Sequence, residues 1–369
     1  MKCDMSRRIV YDGHIFRWQT YGGVSRYFCE IISRSRLAVG RRILGVGAVA
    51  GITRTGVGFS PPSRIKPRRI SQAIVTEYWA RRYLSRGCVF HPTNYRLSCG
   101  LKYGDLRCRL VVTVHDFIML AYSEFREECA VMIAEQAEAI QAADHLICVS
   151  KYTESELHER YPNTRGKSSV VYHGSSFPAL TEVGLQEKVA NRAVSRFLFV
   201  GGRATYKNFL FILDAFHKSV KSGIPMKLVV AGAALSKEER WQVEARGLNE
   251  FIEVHCKPSE AQLHKLYLDS TALLYPSVHE GFGIPALEAM ACGSLVIASS
   301  RTSLPEVVGD AGMLLDPFDT DAWVDRIVTV AKGSADLSPI LRRGIARASA
   351  LSWDLAAEKH DAIYLQLFG

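Results

Sequence analysis

Short apolar runs alternate with longer stretches in which apolar residues recur every three to four positions, and this rhythm holds for most of the chain. In the first half, runs at 8–12, 42–49, 88–91, 110–114, 145–149 and 169–172 read as strands. Between them the helical period predicts helices over 22–37, 71–85, 122–142 and 151–160. Residues 51–69 are rich in Gly, Pro, Thr, Ser and Arg and read as a loop. The rhythm lapses over 174–195, a candidate interdomain linker. It then resumes with strands FLFVGG (197–202), KLVVAG (227–232), FIEVHC (251–256), ALLYPS (272–277), SLVIAS (294–299) and GMLLD (312–316). Helices fall between these and over 319–332, 337–350 and 353–367. Such alternation marks parallel sheets, so the expected fold is α/β, two doubly wound Rossmann-like domains facing a cleft. The expected division is 1–180 and 181–352, with ligands at the carboxyl ends of the strands.

Length agrees, since 369 residues are long for one core and comfortable for two. No apolar run reaches the roughly 18 residues of a membrane span, and the N-terminus runs into a strand without a signal-like stretch. The nine cysteines are scattered without a Cys-x-x-Cys pair, which favours a reducing, cytoplasmic setting over a disulfide frame or zinc site. Charge changes the picture more. Residues 1–105 hold 19 Lys/Arg against 5 Asp/Glu, although the whole chain nets only +9. Arg41-Arg42, the segment Arg64–Arg69 and Arg81-Arg82 dominate this excess. It reads as a solvated basic surface, or as one for an anionic membrane or a diphosphate-bearing acceptor. Nucleic acid is not an expected partner, because no recognised binding module appears.

The segment HEGFGIPALE (279–288) carries the most chemistry. Glu280 and Glu288 flank a Gly281-Phe282-Gly283 turn, and Ile284-Pro285 opens a helix. Proline fits a helix start, glycines allow close approach of a ligand, and helix N-termini attract phosphate. Glu288, expected in the first helical turn, also has a structural reason to be acidic in the helix dipole; Glu280 has none. Arg203 and Lys207 follow a strand and a Gly turn in FVGGRATYKNF, where two cations can neutralise a diphosphate. Gly22-Gly23 open the first long helix, either as turn residues or for close approach to phosphate. No G-x-G-x-x-G follows the first strand, which counts against a dinucleotide oxidoreductase. His115-Asp116 end a buried strand in VVTVHDF, where a functional pair would project. Asp319-Thr320-Asp321 imitates a metal-binding Asp-x-Asp but opens a helix, so capping explains it and no metal is expected. Glu306 in LPEVVGDAG reads as part of a helix cap region.

These residues resemble the retaining GT-B glycosyltransferases of family 4. YGGVSRYF, VTVHDF, ICVSKYTESEL, VYHGSS, FVGGRATYKNF, HEGFGIPALEAMACG and SLPEVVGDAG occur in that family's order and cover nearly the whole chain. The N-terminal part is most similar to bacterial mannosyl- and rhamnosyltransferases that build surface polysaccharides. The resemblance implies an acceptor-binding domain over 1–180, a nucleotide-sugar domain over 181–352, and a terminal helix (353–369) packed back on the first. It implies that Glu288 holds the ribose and Glu280 the donor sugar, while Arg203 and Lys207 stabilise the diphosphate. Gly22, Gly23, Gly281, Phe282, Gly283 and Ile284 would complete the donor site. His115 would line the donor sugar, with Asn94, Asp116 and Ser150 on the acceptor side. No cofactor is implied; the substrate is a nucleotide-diphosphate sugar, GDP favoured over UDP. The implied acceptor is a glycan or polyprenyl-diphosphate-linked glycan, met in the cytoplasm or at the inner face of the cytoplasmic membrane. A nucleotide-sugar epimerase or another GT-B-fold enzyme is the alternative reading.

Overall fold

The computed structural model describes residues 7–18, 22–46, 48–52, 57–60, 68–85, 87–97, 102–122, 127–190, 194–334 and 336–368, with 68–74 and 76 as backbone only. Contacts divide the chain into two units, Met1–His173 with Trp353–Gly369, and Gly174–Ser352.

In the first unit the strands are β1 (Arg8–Asp12), β2 (Gly40–Leu44), β3 (Val57–Ser60), β4 (Cys88–His91), β5 (Arg109–Val114), β6 (His145–Cys148) and β7 (Ser168–Val170). They form one sheet in the order β3-β2-β1-β4-β5-β6-β7, every pair parallel. The order reverses direction between β1 and β4, and the strand ends there open a crevice. In the second unit, β8 (Ser195–Val200), β9 (Met226–Gly232), β10 (Ile252–Cys256), β11 (Ala272–Tyr275), β12 (Leu295–Ser299) and β13 (Met313–Leu315) run in the order β10-β9-β8-β11-β12-β13, again all parallel. Its reversal lies between β8 and β11. Both sheets are therefore doubly wound and Rossmann-like.

The pattern misreads three places. Within the stretch expected to be loop (51–69), β3 forms and pairs with β2, Arg41 opposite Val57. It is an edge strand of four residues, three half-buried in a row and Ser60 buried, with no alternation to reveal it amid turn-forming composition. The flanking 53–56 and 61–67, including the Arg64–Lys66 cluster, lie outside the described residues. The expected helix over 122–142 is described from Ala130 to Ala142, with a separate short helix at Ile118–Ala121. The supposed linker at 174–195 belongs to the second unit. There Leu180 N–H donates to Ala291 O at 2.8 Å, and helix Glu182–Ala190 buries Leu185. The division accordingly falls at 173/174 rather than at 180.

Helix Trp353–Phe368 closes the first unit from the far end of the sequence. Asp361 accepts from Ser35 Oγ at 2.6 Å and from Arg36 N–H at 2.7 Å, capping the exit of helix Gly23–Arg34. Inside, a single chain of hydrogen bonds runs from strand to helix. His360 Nδ1 lies 2.7 Å from Ala356 O, which can only accept, so Nδ1 carries the proton. His360 Nε2 then accepts from Tyr27 OH at 2.5 Å, and Tyr27 accepts from Thr113 Oγ1 at 2.8 Å. Thr113 in turn accepts from His91 Nε2 at 2.8 Å. His91 Nδ1 accepts from Tyr364 OH at 2.6 Å, and Tyr364 accepts from Tyr11 OH at 3.3 Å. Every donor has one acceptor only if both histidines are neutral. Burial supplies that condition, pushing His360 down to about 4 and His91 well below its ordinary range.

Candidate functional site

The second unit gathers its chemistry at the β8/β11 reversal. β8 ends in Val200, a Gly201-Gly202 turn follows, and the turn Thr205–Lys207 leads into helix Phe209–Val220. β11 ends at Tyr275 and continues as the loop carrying Glu280. Val278 N–H donates to Tyr206 O at 2.7 Å and ties the two loops together. Asn208 stands between them in the left-handed conformation (φ 58°), its Nδ2 donating to Pro317 O at 2.8 Å and Pro276 O at 3.4 Å. Across this joint Lys207 Nζ meets Glu280 Oε1 at 2.6 Å, the two side chains only 16% and 9% exposed. The ammonium also stands 5.3 Å from the Tyr206 ring centroid and 5.6 Å from that of Tyr275. Burial, and then the Glu280 charge, raises the Tyr275 phenol well above its usual range.

Glu280 is held by its backbone as well. Its N–H donates to Thr302 Oγ1 at 3.1 Å, and Ser303 Oγ is 2.9 Å from both Glu280 O and Phe282 O. Thr302 has φ 57°, a conformation that non-glycine residues adopt at a cost. Gly283 is required where it stands: its φ is 110°, and a Cβ there would lie 2.7 Å from Leu304 Cδ2. It precedes helix Ile284–Ala291, with Pro285 second in the first turn, so the helix N-terminus opens beside the Glu280 loop. Gly281 and Phe282 are buried and Ile284 is half-buried.

Two expected residues have partners that the sequence did not indicate. Glu288 lies beyond the first turn of its helix, so the helix dipole does not explain it. It is 2% exposed and accepts from Tyr267 OH at 3.0 Å, an acid kept inside the fold by a specific donor. Arg203 does follow β8, but its guanidinium turns to Glu239 (2.6 and 3.1 Å) and to the carbonyls of Ala233 (3.0 Å) and Ala234 (2.7 Å). Its side chain is 6% exposed. Burial penalises the Glu239 carboxylate, yet Arg203 and Ser236 hold its pKa below the ordinary value. Lys207 and Glu280 are thus brought together, whereas Arg203 is engaged elsewhere.

The remaining candidates lie in the first unit. Gly22 caps helix Gly23–Arg34 in extended conformation, with Ser25 Oγ donating to Gly22 O at 3.0 Å. Asn94, His115 and Asp116 line one pocket of about 150 Å³ at the carboxyl ends of β4 and β5. Asp12, ending β1, anchors that rim: its Oδ1 accepts from Thr93 N–H at 3.0 Å and Thr93 Oγ1 at 2.6 Å. Burial lowers His115 to about 4, so the ring is neutral at neutral pH and packs edge-on against Tyr27 at 5.2 Å. Ser150 does not line this pocket. It is fully buried and caps helix Lys151–Arg160, accepting from Thr153 N–H at 3.0 Å. Asp319 is likewise a helix cap, accepting from Ala322 N–H at 3.0 Å.

Sequence reasoning missed Tyr206, Asn208, Tyr267, Thr302 and Ser303 around the second-unit site, and Tyr95 and Gln136 around the first-unit pocket. Asn208 alone carried a signal, since asparagine tolerates the left-handed region ahead of a helix. Residues 186–344 match the family described as Glycosyl transferases group 1, and 50–175 match Glycosyltransferase Family 4. The O-antigen chain mannosyltransferase B of Escherichia coli is 30% identical over 278 residues, 72% of this chain and 71% of that protein. The chain belongs to the group 1 glycosyltransferases. Within that group it is similar to the GDP-mannose:cellobiosyl-diphosphopolyprenol alpha-mannosyltransferase of Komagataeibacter xylinus, 29% identical over 49% of this chain and 48% of that one. Among solved structures, HepE of Anabaena in complex with UDP-glucose shares the GT-B fold of this glycosyltransferase. Their TM-score is 0.72 at 17% identity, over 97% of this chain and 99% of the other. Among the described residues, no helix is long and apolar enough to cross a membrane.

Proposed function

We propose that this glycosyltransferase moves a hexosyl residue, mannose or a related deoxyhexose, from a GDP-sugar to a surface glycan under construction or its polyprenyl-diphosphate-linked precursor. The observation that carries the reading is the Lys207–Glu280 pair at the β8/β11 reversal beside a helix N-terminus. Departure of a nucleoside diphosphate builds negative charge, and a preorganised ammonium beside the positive end of a helix lowers that barrier. Lys207 is the principal cation; Arg203 contributes only after exchanging Glu239. Released from Lys207, the Glu280 carboxylate accepts hydroxyls of the donor sugar, and Glu288 the ribose hydroxyls, oriented by Tyr267. Transfer proceeds with retention and without a metal, the acceptor attacking on the face that the diphosphate leaves and the leaving oxygen taking its proton. The wording of the two mannosyltransferase relatives' names supports mannose, and one supports GDP.

A thermal-shift and turnover panel of GDP- and UDP-sugars tests this reading. GDP-mannose or a GDP-deoxyhexose is expected to stabilise the protein most and to release GDP when acceptor is added. Stabilisation by UDP-sugars alone overturns the donor assignment. The basic excess in residues 1–105 supports work at the inner face of the cytoplasmic membrane. Vesicles containing anionic lipid should retain the protein at low salt, and equal retention by neutral vesicles removes that idea.

A further inference from the structure

We infer that the first-unit pocket is built for an uncharged, hydroxyl-rich sugar terminus and rejects a phosphorylated one. This rests on the reading of the chain as a sugar transferase and narrows its acceptor. Several hydrogen-bonding atoms of the lining are already committed. Gln136 donates one amide hydrogen to Tyr95 OH at 3.1 Å and the other to Asp116 O at 2.8 Å. A carbonyl can only accept, so the amide nitrogen must lie on that side and Oε1 remains as an acceptor. Asp116 Oδ1 accepts from Ile118 N–H at 3.0 Å, which orients a carboxylate that offers oxygens and no hydrogens. Glu135 is the second carboxylate on the wall, and Arg96 approaches it at 3.4 Å from a largely exposed position. Among the described residues lining the pocket no lysine or arginine occurs. Burial keeps His115 neutral there, so it adds no positive charge.

Such a lining carries two carboxylates and an amide oxygen, and its donors (Asn94 Nδ2, Tyr95 O–H and one His115 N–H) are all uncharged. Its natural complement is a ligand rich in donors and without negative charge, which describes the hydroxyls of a sugar. A phosphate dianion brings acceptors to acceptors and charge to like charge. The apolar part of the lining fits the same ligand: Phe28, Met119 and Met132 offer apolar surface to the C–H face of a pyranose, and Trp18, 64% exposed, lines the pocket as well.

The test is binding to the full chain with GDP present, measured by titration calorimetry. The probes are a neutral methyl mannobioside and the same disaccharide phosphorylated on its terminal sugar. The neutral probe is expected to bind at least tenfold more tightly. Glu135→Lys is expected to narrow or reverse that ratio, and Glu135→Gln to narrow it less. Equal or tighter binding of the phosphorylated probe overturns the inference, as does failure of the neutral probe to bind a protein that binds nucleotide. A Glu135→Lys protein that does not fold, judged by its melt, leaves the Glu135→Gln ratio to decide, and an unchanged ratio counts against the inference. Failure of the transferase reading is distinct: no nucleotide sugar then binds or turns over, whatever the pocket prefers.

Discussion

Lys207 and Glu280 stand 73 positions apart in the chain, yet their charged atoms meet at 2.6 Å. Both are mostly buried, so each compensates the other's charge. Removing one takes that compensation from a buried charge, a change that costs roughly 3–5 kcal/mol in a fully buried pair. Lys207→Met is therefore expected to lower the melting temperature, and Lys207→Met/Glu280→Gln to recover part of the loss. Turnover should stay at least roughly tenfold down in both, because the leaving group has lost its cation. A folded Lys207→Met protein with near-normal turnover would remove Lys207 from the donor site.

Tyr267 and Glu288 make a second test. Tyr267→Phe withdraws the donor that accompanies a buried carboxylate, a change worth roughly 1–3 kcal/mol. The KM for nucleotide sugar is expected to rise while the acceptor KM holds. Parallel changes in both constants would mean that Tyr267 acts only through stability.

The neutral-histidine chain predicts how stability depends on pH. His91, His115, His173 and His360 are all held below their ordinary range by burial, His115 and His360 near 4. Unfolded histidine titrates near 6.5, so the unfolded chain binds more protons between about pH 6.5 and 4. Stability is complete above about 6.5 and falls as the pH drops toward 4. Melting temperatures from pH 7.5 to 4.5 should show this decline, and His360→Gln should flatten it. An unchanged slope in a folded His360→Gln protein would place the linkage elsewhere.

Gly283→Ala is expected to damage the second-unit site specifically. It forces a side chain into φ 110° and toward Leu304. Strain of this kind costs on the order of 1–3 kcal/mol. Nucleotide-induced stabilisation should fall more than the melting temperature of the free protein. Undiminished stabilisation would show that the Glu280 loop tolerates the displacement.

The residue pattern by itself determined the class of fold and most of its elements, because buried parallel strands and amphipathic helices need local runs of apolar residues. It also determined the segment 279–288, where glycines, a proline and acids report backbone demands directly. Tertiary structure decided the partners. Nothing local distinguishes Arg203, turned toward Glu239, from Lys207, turned toward Glu280, since both are cations after one strand. Ser150 follows a strand, where a cleft residue would stand, and its oxygen caps the next helix. Glu288 exchanged a dipole for a tyrosine 21 positions away. β3 formed because a neighbouring strand edge was there to pair with, and the terminal helix docked through hydrogen bonds reaching across as many as 353 positions. Short-range pattern encodes burial and backbone conformation; hydrogen bonds and ion pairs between distant elements exist only once folding has brought the donors and acceptors within about 3 Å of each other.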